Sequence, residues 1–373
     1  MRVLITGGGT AGHVNPALAI ADAILARESD AVIEYVGTQK GIEGRLVTRR
    51  GMTLHPIEVY GLRRSLSPYN IKALAKAISA KKRCKAIIRD FKPDVVIGTG
   101  GYVCWPLISA ASSLGIPTVL HEANAEPGFA IKTLQKKTDL ILVNFENTKE
   151  RLKKAKNCVV RVGMPVNAEF YSRSKKRSVA QIQGIEKDEE FRILSFGGSL
   201  GARQLNLAVL ELMKTYIKDK PHIKIEHSCG AREFDFIKRE FEAAGLSDCQ
   251  NIVLADYIYD MPEKMARADL VIARSGASTL AELAAAGKAS VLIPSPNVTG
   301  DQQRKNAREL CNKNAAIYVE DQDAQAVLTK TVADLIEEKD RATLRRMQTE
   351  VKAFAVENCD EMIYQAVCEL IRK

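Results

Sequence analysis

Short, near-continuously apolar runs alternate with helix-period segments along the chain. In the first half, runs at 2–6, 31–36, 53–59, 94–98, 117–121, 139–143 and 158–162 read as strands, with helical spacing at 16–26, 71–89 and 104–114 between them. Runs such as VLI, VVI and LILV lack polar alternation, so both faces of these strands are covered, as in parallel sheets. The alternation stops over the polar, charge-rich 167–190. It restarts with strands at 192–196, 223–227, 251–255, 269–273, 289–293 and 316–319, separated by helices at 204–216, 233–244, 277–286 and 302–312. This pattern predicts an α/β chain of two successive doubly wound, Rossmann-like domains, with a boundary near Pro165. The stretch 340–372 is helical with no strand after it, and residues 341–373 are expected to pack back on the first domain.

Composition narrows the class. The chain has 373 residues, 46% of them hydrophobic and 27% charged, which excludes disordered and fibrous readings. No apolar run reaches the length needed to span a bilayer, and MRVLITGGG has no leader-peptide plan, so a cytoplasmic location is expected. The eight cysteines are scattered without a CxxC pair, and neither a disulfide framework nor a zinc site is expected.

Charge is concentrated. The net charge is +10, and residues 63–92 hold ten basic residues against one acid, Asp90, so that stretch alone carries +9. This points to a local patch rather than to a general nucleic-acid binder. Ile71, Leu74, Ala75 and Ile78 repeat at helical spacing among Lys72, Lys76, Lys81, Lys82, Arg83 and Lys85. A basic amphipathic helix of this kind suits an anionic membrane surface, with the 62–66 loop adding apolar groups. The alternative is a surface helix whose apolar face packs on its own sheet.

Each domain opens with a strand, a glycine loop and a helix: VLITGGGTAGHVNPALAI and ILSFGGSLGARQLNLAVL. Gly7, Gly9 and Gly12 satisfy G-x-G-x-x-G, a phosphate-binding pattern. Glu34 does not sit at the strand tip where a dinucleotide site needs its acid. His13 follows at once, where an imidazole can face a ligand and exchange a proton near neutral pH, or can simply cap its own helix. Thr99-Gly100-Gly101-Tyr102 and Gly197-Gly198-Ser199-Leu200-Gly201 are further glycine turns at strand carboxyl ends, where parallel sheets place ligands. In ARSGASTLAELAAAGKASVLIP (273–294), Ser275-Gly276 opens a strong helix whose N-terminus suits a diphosphate, with Glu282 available for a ribose diol. Gln302, Gln303 and Asn306 start another helix and suit sugar hydroxyls. Asp321-Gln322-Asp323 resembles a metal-binding D-x-D, but its place before a helix makes Asp323 an N-cap, and no metal is expected.

Taken together, GGGTAGHVNPALAIA (7–21), GTGGYVCWP (98–106), HEANAEPG (121–128), VGMPVN (162–167), GGSLGAR (197–203), RSGASTLAELAAAGKASVLIP (274–294) and DQQRKNA (301–307) resemble the MurG family of peptidoglycan glycosyltransferases. Members add N-acetylglucosamine to undecaprenyl-diphosphate-linked muramoyl-pentapeptide. The resemblance implies a glycosyltransferase-B fold, two doubly wound domains facing a cleft, with inverting chemistry and no cofactor. It implies an acceptor and membrane-associating domain over 1–165 and a UDP-sugar domain over 166–340, at the cytoplasmic face of the membrane. Carried over by position, UDP-N-acetylglucosamine would meet Thr10, Ala11, Gly12, Asn124, Asn167, Ser199, the Ile258 backbone, Ala277, Ser278, Thr279, Leu280, Ala281, Glu282 and Gln303. The acceptor diphosphate would meet Gly9, Gly100, Gly101 and Tyr102. His13 is the first choice of base and Glu122 the second, since a carboxylate held low in pKa is the weaker base. Three positions depart from the usual pattern: Ala123 replaces a Gln, Cys104 a Ser, and Asn167 an Arg, which removes a cation. A UDP-sugar epimerase, a nicotinamide dehydrogenase and a non-enzymatic peripheral membrane protein are the competing readings.

Overall fold

A computed structural model describes residues 1–61, 67–155, 157–182, 190–198 and 200–372, the side chains of 176–182 excepted. The chain divides into two compact units, Met1–Pro165 with Asn358–Lys373, and Val166–Glu357.

The first unit holds strands β1 (Arg2–Thr6), β2 (Val32–Gly37), β3 (Leu54–Pro56), β4 (Val95–Gly98), β5 (Thr118–Glu122), β6 (Leu140–Val143) and β7 (Cys158–Arg161). All pairings are parallel, in the order β3-β2-β1-β4-β5-β6-β7. The second unit holds β8 (Phe191–Phe196), β9 (Ile223–Ser228), β10 (Ile252–Ala255), β11 (Leu270–Ala273), β12 (Ala289–Leu292) and β13 (Ile317–Tyr318). These are also parallel, in the order β10-β9-β8-β11-β12-β13. Both sheets are doubly wound and Rossmann-like, and their strand order reverses at β1/β4 and at β8/β11. Each reversal is pinned by an aspartate just before the incoming strand: Asp94 accepts the Arg2 N–H and Asp269 the Arg192 N–H, both at 2.7 Å. Central strand residues such as Val3, Leu4, Ile5, Val271 and Ile272 are fully buried, as the unbroken apolar runs require.

Several segments differ from the sequence expectation. The run 53–59 forms only the three-residue β3, which ends at Pro56, a residue with no N–H for the ladder. The helix Ile42–Arg49 was not anticipated, because IEGRLVTR offers Val47 as its one buried large apolar side chain. At the C-terminus, helix Ala342–Glu350 stays with the second unit, and only Asn358–Lys373 joins the first. There helix Cys359–Ile371 buries Cys359, Ile363 and Val367. Its Glu361 pairs with Arg27 at 2.6 Å, while Tyr364 reaches Glu28, which also holds the Met1 ammonium.

The basic segment is one helix, Pro68–Phe91, capped by Ser67, whose hydroxyl accepts the Tyr69 N–H at 3.3 Å. Its inner face is Ala73, Ala80, Cys84, Ile87, Ile88 and Phe91. The stripe Ile71, Leu74 and Ile78 points outward at 75%, 55% and 51% exposure, and Ala75 is exposed beside it. The alternative in which that stripe packs on the sheet is therefore wrong: a second, longer apolar row does the packing. The 62–66 loop lies outside the described residues.

Candidate active site

Doubly wound sheets place ligands outside the carboxyl ends of the strands where the order reverses. In the first unit these ends are the Gly7–Gly9 turn after β1 and the Gly100–Gly101 turn after β4. The two turns are packed face to face. Gly8 N–H donates to Gly100 O at 3.3 Å, and a β-carbon on Gly101, at φ +80°, would collide with Gly8 O. Thr99 is buried between them, donating its hydroxyl to His13 O at 2.7 Å and its N–H to Thr6 O at 2.9 Å. Tyr102 lies over Gly9, its ring 2.7 Å from where a β-carbon would stand.

His13 sits in the first turn of helix Ala11–Leu25. Its Nδ1 is 3.1 Å from Gly8 O and 3.1 Å from Thr10 Oγ1. A carbonyl only accepts, so Nδ1 carries the proton and Nε2 keeps its lone pair. That Nε2 edge lies against Gly100, where at φ +105° any side chain would meet the imidazole. Burial lowers the His13 pKa, with the Gly8 bond opposing, so the neutral ring prevails near neutral pH. Gly9, Thr10 and Gly12 are exposed around it and Ala11 is partly so. The structure thus brings together His13, Thr10, Gly9, Gly100, Gly101 and Tyr102.

Glu122 is different. It ends β5 buried, with Oε1 accepting Asn124 N–H at 2.9 Å and Asn124 Nδ2 at 3.1 Å, and Oε2 accepting Gly128 N–H at 2.7 Å. Burial raises its pKa while these bonds pull it down, so its carboxyl is not held low as expected. Both oxygens are engaged in shaping the 122–128 turn, which leaves it a holder of Asn124.

In the second unit the corresponding ends are the 197–201 turn after β8 and Ser275–Gly276 after β11. Ser199 lies outside the described residues. Helix Ala277–Ala286 begins at Gly276 without a side-chain cap, and Leu280 N–H is the one that bonds Gly276 O, at 3.0 Å. The N–H groups of Ala277, Ser278 and Thr279 stand in the open first turn, an anion-accepting arrangement. Leu280 itself is 1% exposed, so its side chain belongs to the core. Ala281 and Glu282 are partly buried. Glu282 has no hydrogen-bond or ionic partner among the described residues, and burial pushes its carboxyl up to about 7. The turn is braced from behind: Ser275 Oγ donates to Gln303 O at 2.8 Å, and Asn306 Nδ2 to Ser275 O at 3.3 Å. Gln303 Oε1 accepts Ser295 N–H at 2.8 Å.

Ile258 is buried between exposed Tyr257 and Tyr259, whose rings meet edge-on at 4.9 Å. Asn167 is exposed, and its Oδ1 accepts Glu169 N–H at 2.9 Å, so this departure from the family pattern serves a helix start. Asp321 pairs with Arg274 at 2.5 Å, and Asp323 occupies the N-cap position of helix Ala324–Glu337 but its side chain makes no cap bond. The expected capping role of Asp323 is therefore corrected to position alone. No cluster of metal-ligating side chains occurs among the described residues.

Sequence reasoning missed Glu43 and Gly230, and named Thr99 only as part of its glycine turn. Buried Glu43 accepts from Thr38 N–H at 3.1 Å, Thr38 Oγ1 at 2.5 Å and Gly9 N–H at 3.4 Å, which ties the β2 end to the first glycine turn. Gly230, at φ +82°, packs directly on Gly201. A glycine two residues past the end of strand β9 was the available signal.

Comparisons with known proteins fit this geometry. Family models described as glycosyltransferase family 28 N-terminal domain and C-terminal domain match residues 3–143 and 192–362. A protein of Acetivibrio thermocellus is 39% identical over 373 residues, covering 100% of this chain and 99% of its own. One of Lactococcus lactis subsp. cremoris is 37% identical over 372 residues, covering 99% of each. Both are named UDP-N-acetylglucosamine–N-acetylmuramyl-(pentapeptide) pyrophosphoryl-undecaprenol N-acetylglucosamine transferase. The crystal structure of Acinetobacter baumannii MurG superposes with a TM-score of 0.79 at 28% identity, covering 99% of each chain.

Proposed function

Because the chain belongs to glycosyltransferase family 28, we propose that it carries out the reaction for which its full-length relatives are named. It transfers N-acetylglucosamine from UDP-N-acetylglucosamine to the lipid-diphosphate-linked muramoyl-pentapeptide of peptidoglycan synthesis. The observation that carries this reading is full-length identity of 39% to a protein named for that transfer, joined to an unpaired His13 Nε2 at one reversal point.

The second unit takes the donor. The first-turn N–H groups of Ala277, Ser278 and Thr279 hold the diphosphate, with the Ser199 hydroxyl carried over from the family motif as a further donor. Glu282 accepts from the ribose hydroxyls, the Ile258 backbone meets the uracil, and Gln303 Nε2 reads the sugar, its Oε1 being occupied. On the first unit the Gly100 and Gly101 turn receives the acceptor diphosphate beside Gly9 and Tyr102, the Gly8 and Gly9 N–H groups being committed to Gly100 O and Glu43. Thr10, Ala11, Gly12 and Asn124 complete the sugar surroundings.

The acceptor 4-hydroxyl oxygen forms a bond to the anomeric carbon, and the bond from that carbon to the diphosphate oxygen breaks, inverting the centre. His13 Nε2 takes the hydroxyl proton and UDP leaves with the electron pair. His13 is preferred to Glu122 because its Nε2 is free while both Glu122 oxygens are engaged. Radiolabel transfer from UDP-N-acetylglucosamine to the lipid-linked muramoyl acceptor tests this. Turnover of the nucleotide sugar without acceptor would instead favour an epimerase, and saturable NAD binding a dehydrogenase.

The first unit also docks on an anionic membrane surface. No helix among the described residues is long and apolar enough to cross a membrane. What supports docking is the outward stripe Ile71, Leu74 and Ile78 flanked by exposed Lys72 and Lys82. Each apolar side chain gains about 1.5–3 kcal/mol if fully buried, and each nearby lysine about 1 kcal/mol. Reversal of Lys72, Lys76, Lys81 and Lys82 to Glu is expected to abolish co-sedimentation with anionic vesicles. Unchanged co-sedimentation would remove this part of the reading.

A further inference from the structure

An open depression lies just past the end of β2. It is about 530 Å³ in volume and is lined by Gln39, Lys40, Gly41, Ile42, Gly44 and Arg45. Lys40 and Arg45 are both exposed, and neither makes an ion pair with any described residue. Arg50, just past helix Ile42–Arg49, pairs with Asp22, whereas Arg49 at its end is exposed and, like Lys40 and Arg45, makes no ion pair with a described residue. The one acid in the turn, Glu43, is buried, and its oxygens are engaged by Thr38 and Gly9. Its charge is directed inward, so the two cations face the cavity uncompensated.

Glu43 also fixes where this cavity stands. Its carboxylate is the common post of the Gly7–Gly9 turn and the 38–44 turn: Gly9 N–H reaches it, and a β-carbon on Gly8 would stand 2.9 Å from its Cδ. The cavity is thus the immediate neighbour of the Gly9 turn, beside which the acceptor diphosphate is placed above. That acceptor is polyanionic, with a diphosphate on one side of its sugar and a peptide bearing carboxylates on the other.

We propose that the Lys40–Arg45 cavity is a subsite for an anionic group of the acceptor, a carboxylate or a phosphate, and that these two side chains set acceptor affinity. The inference rests on the transferase reading above and extends it to a surface outside the glycine loops. Arg45 offers a planar fork for a bidentate oxyanion contact and Lys40 a point charge. Because the cations are exposed, their contribution is expected to weaken with salt.

The test uses the full chain with acceptor in neutral detergent micelles, so that membrane recruitment does not enter. In the double variant Lys40→Met/Arg45→Met, acceptor KM is expected to rise about tenfold or more, a loss of ~1.4 kcal/mol, with donor KM and kcat nearly unchanged. The conservative pair Lys40→Arg/Arg45→Lys is expected to retain most of the affinity. An acceptor with amidated peptide carboxylates separates the sources. If the double variant then loses nothing further, the ligand is a carboxylate; if it still loses its factor, the ligand is a phosphate. Acceptor KM unchanged in the double variant, or donor KM rising in parallel, would overturn the proposal. A wild-type chain that transfers no sugar would instead overturn the transferase reading itself.

Discussion

His13→Ala is expected to lower turnover by about 10²–10⁴-fold, the usual contribution of a positioned general base, with the donor Kd left close to its original value. The split follows from where the side chain stands. His13 belongs to the first unit, and its Nδ1 is committed to Gly8 O and Thr10, so the ring orients one free nitrogen and contributes little to nucleotide affinity. Single-turnover rates and calorimetric UDP-N-acetylglucosamine binding separate the two quantities. Retained turnover, or a parallel loss of donor affinity, would remove His13 from the role of base. The pH profile is a second check. A base must be neutral to act, and burial pulls His13 below the ordinary value of 6.5. The acid limb of kcat/KM is therefore expected below 6.5, and it should be the limb that His13→Ala removes.

Glu282→Ala is expected to weaken the donor by about 10–100-fold, the worth of a hydrogen bond to a charged group at ~1.5–3 kcal/mol. The argument is again one of burial. Glu282 has no partner among the described residues, and its carboxyl is pushed up to about 7. Hydroxyl donors from a ribose favour the ionised form, so donor binding should release a proton near neutrality and should weaken as pH falls through 7. Glu282→Gln should flatten that dependence. The same shift acts on folding with the opposite sign to the common salt-bridged case. A carboxyl whose folded pKa lies above its unfolded value of 4.5 costs stability once pH exceeds 4.5, most fully above 7. Glu282→Gln is thus expected to raise Tm at pH 8 while it lowers donor affinity, and a Tm that fell would show the carboxylate to be partnered after all.

The parts of this architecture that were legible in the sequence are those where backbone geometry restricts the residue type. Gly100 and Gly101 stand at positive φ with other groups packed against their α-carbons, so glycine had to appear there, at a strand's carboxyl end. The unbroken apolar strands gave both sheets for the same reason. What stayed hidden depended on three-dimensional partnering. Thr99 and Glu43 are ordinary polar residues until the turns they brace come together. On helix Pro68–Phe91 two apolar rows compete, and spacing alone does not say which one faces in; the shorter row with Ile71 suited a membrane-facing or a packing role, and it is exposed. Asp323 precedes a helix as an N-cap should, yet its neighbour Asp321 makes the consequential contact, with Arg274 forty-seven positions away.

The return of Asn358–Lys373 to the first unit means that two covalent crossings, at 165/166 and 357/358, join the halves. A polypeptide stopped after Pro165 would be missing part of its own interior, the Cys359, Ile363 and Val367 side chains and the Arg27–Glu361 pair. Dissection into autonomous pieces therefore has to excise 166–357 from the middle and splice what remains.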